Sequence, residues 1–63
     1  VDYSKKIREY REKKLLTQEE LAKELGVGIA SISRWEQGHF EPTMKTKRKL
    51  RTLFRKAGIK EEE

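Results

Sequence analysis

The sequence predicts an all-α fold, and three observations carry that prediction. No run of β-branched residues alternates with polar ones, so strand signals are nearly absent. The four glycines and the one proline fall between periodic segments and not inside them. Within those segments apolar residues recur at three- and four-residue spacing, the period of a helix with one buried side. Sixty-three residues allow one small domain, and a chain of that length buries only about 60% of its unfolded surface, so the core must be compact. Residues 1–59 are read as that domain and 60–63, ending Glu61-Glu62-Glu63, as a disordered acidic tail.

The first helix is expected from Asp2 or Ser4, either of which can cap, to about Lys14. Ile7, Tyr10 and the stem of Arg11 lie on one side, and Leu15 and Leu16 join the core from its end. Thr17-Gln18-Glu19-Glu20 fits a capping box, with Leu16 and Leu21 at the positions of a hydrophobic staple. The second helix then runs from Gln18 to Leu25, buries Leu21, Ala22 and Leu25, and stops at Gly26. Gly26-Val27-Gly28 supplies a tight turn, and Gly28 caps a third helix that ends at Gly38. At 100° per residue, Ile29, Ser33, Gln37, Ala30 and Arg34 fall between about 0° and 140°, and Ser31, Trp35, Ile32 and Glu36 between about 200° and 340°. Ile32 and Trp35 mark the second arc as the buried one, which leaves Ile29 and Ala30 facing outward. Phe40 is expected to tuck under the next loop. Thr43 caps a fourth helix with Met44, Leu50, Leu53, Phe54 and Ala57 as its apolar stripe. Gly58 follows, and Ile59 packs back on Phe54.

Charge is distributed unevenly around the net +5. Residues 1–16 carry +3, residues 17–42 carry −3 and residues 43–63 carry +5. Basic flanks around a mildly acidic centre suit contact with a polyanion, although lysine-rich helix surfaces also serve solubility alone. Catalytic chemistry is hard to assemble. There is no cysteine, the one histidine, His39, lies in a glycine-bounded loop, and no phosphate-binding, dinucleotide or metal motif occurs. The chain is therefore read as a non-enzyme with no cofactor, no metal and no evident small-molecule substrate. No apolar run approaches the roughly 18 residues that span a bilayer, and the first fifteen residues are too charged for a secretory signal. A soluble, cytoplasmic protein without a membrane partner is expected.

Two short helices joined by a glycine turn, the second with an outward face of small and polar residues, form the helix-turn-helix arrangement. The ordered series Gln18, Leu21-Ala22, Gly26-Val27, Ile32-Ser33, Trp35-Glu36, Gly38 and Pro42 resembles the Cro and phage-repressor type of helix-turn-helix proteins, often called Xre-like, over about residues 4–57. The resemblance implies a four-helix, lambda-repressor-like domain that binds double-stranded DNA as a transcriptional regulator, more often a repressor, in the cytoplasm of a prokaryote or encoded by a phage. It implies base reading by Ile29, Ala30, Ser33, Arg34 and Gln37 from the third helix in the major groove. It also implies phosphate contacts from Gln18, Ser31, His39 and Lys45, and an ion pair between Arg11 and Glu36 that braces the reading helix. Arg34 could bond guanine through two donors, contact phosphate or join a salt bridge; Ile29 could meet a thymine methyl or lie half-buried against the second helix.

The departures from the family pattern are specific. Glycine is usual where Leu15 stands, so Leu15 either takes a left-handed conformation or the first helix ends differently. Serine or threonine is common at the position of Gly28, and apolar residues at those of Lys47 and Arg51. Many relatives have a fifth helix that helps dimerisation, which leaves a homodimer on a palindromic operator open. The alternative function is a protein-interaction module of antitoxin or bridging-factor type on the same fold.

Overall fold

The computed structural model describes residues 3–59 and contains four helices: α1 (Tyr3–Lys14), α2 (Gln18–Leu25), α3 (Ile29–Gln37) and α4 (Met44–Lys56). Asp2 as a cap and the acidic tail lie outside the described residues, and Ser4 lies inside α1 and so does not cap it. The starts of α2 and α4 are capped by local side chains. Thr17 Oγ1 accepts from the Glu20 amide at 3.1 Å while Glu20 Oε1 accepts from the Thr17 amide at 2.8 Å, closing the capping box. Thr43 Oγ1 accepts from the Thr46 amide, and Gly28 precedes α3 in extended backbone without a side-chain bond.

All four helices end in the same way. A left-handed residue follows each helix, directly at Leu15, Gly26 and Gly38 and after Ala57 at Gly58, and the next amide turns back to a carbonyl five residues earlier. Leu16 bonds Arg11, Val27 bonds Ala22, His39 bonds Arg34 and Ile59 bonds Phe54, at 2.8–3.2 Å. This is the Schellman ending, and glycine makes it without strain at three of the four sites. Leu15, at φ 57°, is the exception. Its side chain is thrown outward and is 88% exposed, so only Leu16 continues into the core. A left-handed leucine costs about 1–2 kcal/mol and a glycine in its place adds some chain entropy to the unfolded state. Leu15→Gly is therefore expected to stabilise the domain by about 0.5–1 kcal/mol, read as a rise of several degrees in thermal midpoint; an unchanged or lower midpoint would contradict the strain.

The core gathers Ile7 and Tyr10 from α1, Leu21, Ala22 and Leu25 from α2, Ile32 and Trp35 from α3, Leu50 and Phe54 from α4, and Ile59 beyond it. Val27 and Leu16 pack at its edge, and the Tyr10 and Phe54 rings meet at 5.9 Å. Burial and the nearby Glu24 carboxylate, which accepts from the Tyr10 hydroxyl, push the phenol above its usual range. α1 and α2 each pack against α3 and against α4.

Two placements differ from expectation. Met44 is 67% exposed, and Thr46 is buried in its stead. Met44 and Leu50 are six residues apart, about 240° around a helix, so they cannot share one narrow face. Phe40 does not tuck under the loop but stands 61% exposed, with the Arg34 guanidinium carbon over its ring at 5.8 Å. Lys47, at a position where the family is apolar, lies over the Tyr3 ring at 5.2 Å and pairs with Glu41 at 2.9 Å. The side chain is half-buried there, with its ammonium shared between a carboxylate and a ring face.

Candidate nucleic-acid interface

The outer face of α3 is built by its inner one. Ile32 is fully buried, Trp35 and Glu36 nearly so, and with that side fixed the helix presents Ile29, Ala30, Ser33, Arg34 and Gln37 together on the opposite side. Ile29 is 50% exposed, so it is half-buried at the start of α3 and keeps half of its surface open to a contact from outside. Ala30, Arg34 and Gln37 are exposed and Ser33 is half-buried. Gln37 Nε2 donates to Ser33 Oγ at 3.1 Å, so these two side chains form one unit along the face. Among the described residues no carboxylate pairs with Arg34, whose contact there is the Phe40 ring.

Behind that face lies a buried polar cluster centred on Glu36, which is 6% exposed. Arg11 grips it with two bonds, Nε to Oε2 at 2.6 Å and Nη2 to Oε1 at 3.0 Å, and its Nη1 also donates to the Leu16 carbonyl at 3.1 Å. One arginine thus ties α3 to the end of α1 and to the turn that starts α2. Arg8 Nη2 adds a bond to the Glu36 backbone carbonyl at 3.2 Å. Burial alone would push the Glu36 carboxyl up, but the bonds from Arg11 and Gln18 and the charges of Arg11 and Arg8 outweigh it and hold the group below its ordinary value. The bond to Glu36 likewise holds the Arg11 guanidinium above its ordinary value, against burial.

Gln18 Nε2 donates to Glu36 Oε1 at 3.0 Å. A purely surface-facing glutamine does not describe this residue: one amide hydrogen is committed inward, and the second hydrogen and the carbonyl oxygen remain. Sequence reasoning missed this bond, and it missed Arg8 and Phe40. A glutamine opening α2 and a carboxylate on the inner face of α3 gave no local signal of each other, being 18 residues apart. Ser31 is half-buried in the first turn of α3; His39 is exposed just past its end, and Lys45 is exposed in the first turn of α4. Among the described residues there is no group of three or more potential metal ligands, and no helix is long and apolar enough to cross a membrane.

A helix-turn-helix family model matches residues 7–56. An uncharacterized HTH-type transcriptional regulator of Methanocaldococcus jannaschii is 40% identical over 58 residues, covering 92% of this chain and 83% of the relative. A second such regulator, of Archaeoglobus fulgidus, is 41% identical over 49 residues, or 78% of this chain and 70% of the relative. The HTH-type transcriptional activator BcrR of Enterococcus faecalis is 35% identical over 54 residues, and there the chain spans 26% of the relative's length. No solved structure gave a significant match. The match across α1 to α4, together with the glycine-bounded turn between α2 and α3, makes the chain a member of the helix-turn-helix family of Cro/C1 type.

Proposed function

We propose that this domain binds double-stranded DNA sequence-specifically as a transcriptional regulator, with α3 in the major groove. The observation that carries the reading is the outer face of α3, where a guanidinium with no carboxylate partner among the described residues, a half-exposed isoleucine and a bonded Ser33–Gln37 unit stand together on a helix braced from behind. Arg34 offers the in-plane donor fork that matches guanine O6 and N7. Ile29 and Ala30 are suited to thymine methyl groups, and Gln37, with one amide hydrogen held by Ser33, retains a donor and an acceptor for adenine. Gln18, Ser31, His39 and Lys45 contact phosphates and set the register. Repression by occupying the site, as a homodimer on a palindromic operator, is the mode that the family resemblance favours, although the Enterococcus relative is named an activator.

A fluorescence titration of duplex DNA against rising salt tests the class. Binding that weakens with a log–log slope of nearly one unit per phosphate contact is expected, whereas absence of binding at every salt concentration would favour a protein-interaction module instead. Duplexes selected from a random pool then supply the site, and two half-sites about one helical turn apart would report a dimer. On that site Arg34→Ala is expected to relax preference at a single base pair by roughly 1–3 kcal/mol. Equal losses at every position would assign Arg34 to phosphate.

A further inference from the structure

We propose that Phe40 is a positioning residue for base reading: its ring holds the Arg34 guanidinium on the outer face of α3 in the orientation that presents its donors to the DNA. The inference rests on the reading of that face given above and adds to it a residue outside the helix. Phe40 belongs to the loop after α3, and two features bring it back over the helix. Gly38 takes the left-handed turn at φ 82°, and the His39 amide bonds the Arg34 carbonyl at 3.2 Å, so the chain reverses beside Arg34. Beyond Phe40 the loop is held again. Pro42 is buried, and Glu41 is paired with Lys47 at 2.9 Å. A phenylalanine fixed in this way and still 61% exposed contributes little to the core. Its defined neighbour is Arg34, whose guanidinium carbon lies 5.8 Å from the ring centroid.

The chemistry of the pair suits a reader. An arginine side chain has several rotatable bonds, and ordering it only at the moment of binding costs affinity for the cognate base. A carboxylate partner would order it but would occupy the same N–H donors that guanine needs. An aromatic ring attracts the cation through its π face and accepts none of those hydrogens in its plane. Arg34 can therefore be held before DNA arrives with its donor fork free. No carboxylate competes for it among the described residues.

The test uses Phe40→Ala, Phe40→Tyr, Arg34→Ala and the double variant, each measured on the selected duplex and on its single-base substitutions. Phe40→Ala should reduce discrimination by about two- to fivefold at the base pair read by Arg34, leave the other positions unchanged, and leave the thermal midpoint near wild type. Phe40→Tyr should retain the discrimination, and Phe40→Ala should add nothing in the Arg34→Ala background. In the free protein, the Arg34 side-chain NMR signals should lose a ring-current shift in Phe40→Ala. If Arg34→Ala changes one base preference and Phe40→Ala does not, the role of Phe40 is overturned while the reading of α3 stands. If Arg34→Ala changes no preference although the ring-current shift is present, the reading of α3 fails and the role of Phe40 fails with it. A loss spread evenly over all positions would make Phe40 a general contact and also overturns the proposal.

Discussion

Arg11→Ala is expected to remove about 3 kcal/mol of stability, a large share of what a domain of this size possesses, since folded domains hold roughly 0.05–0.15 kcal/mol per residue. The effect comes less from the lost attraction than from what is left behind. Glu36 is 6% exposed, and without Arg11 its carboxylate keeps one side-chain partner, Gln18. The low end of the range for broken buried pairs applies because Arg11 itself is 21% exposed, so water can partly replace it. Urea denaturation measures the loss. The companion variant Arg11→Met with Glu36→Leu removes both charges, leaves no unpaired carboxylate, and should recover most of the stability. If the double variant is as unstable as the single one, packing by the Arg11 stem, and not an orphaned charge, holds the helices together.

The same cluster sets a pH dependence with a definite sign. Glu36 has a lowered value in the folded state, so the unfolded chain binds the proton more readily. The stability that this group contributes is complete above the ordinary glutamate value of about 4.3 and is lost as pH falls through the lower folded value. Glu36→Gln should therefore flatten the acid side of the stability profile while lowering stability at neutral pH.

How much of this was legible in the sequence depends on how far each interaction reaches. The Thr17 capping box, the Thr43 cap and the glycine endings bond residues three to five apart, and local spacing was sufficient for them. The inner face of α3 also followed from its period, because Ile32 and Trp35 fix the phase of a short helix. Met44 shows the limit of that reasoning: an apolar residue in the first turn looked like part of a stripe, yet its angle sets it away from Leu50. Arg11 and Glu36 are 25 residues apart and were brought together by resemblance, not by spacing. Nothing in local pattern pointed to the Gln18–Glu36 bond or to the Arg34–Phe40 stack. Both join a helix to another element whose approach is set by the packed fold. Leu15 was legible as a problem, because a left-handed ending was called for where no glycine stood. In the folded protein the leucine accepts the strain and leaves the core, an outcome set by the packing of the whole domain.

Gln18→Glu is expected to have the largest effect on DNA affinity of any near-isosteric change. Gln18 faces two ways: one amide hydrogen bonds Glu36 Oε1 at 3.0 Å, and the other, in the proposed complex, is offered to a phosphate. A glutamate of nearly the same shape turns both contacts against binding. Toward Glu36 it sets two carboxylates at hydrogen-bond distance, which raises the proton affinity of the pair and weakens the brace behind α3. Toward DNA it replaces a donor with a negative charge beside a phosphate. Affinity should fall more than about tenfold on every duplex, specific or random, because phosphate contacts carry no base information. Gln18→Ala, which loses the bonds without adding charge, should cost about 1 kcal/mol of affinity, again evenly. Lowering the pH should partly restore Gln18→Glu relative to wild type measured at the same pH and salt, since a protonated glutamate can donate to Glu36 as the amide did. Fluorescence anisotropy between about pH 5 and 8 follows that ratio, in the range where a carboxyl raised by a neighbouring charge titrates. Wild-type affinity for Gln18→Glu at neutral pH would remove Gln18 from the phosphate contacts and leave it only as a ligand of Glu36.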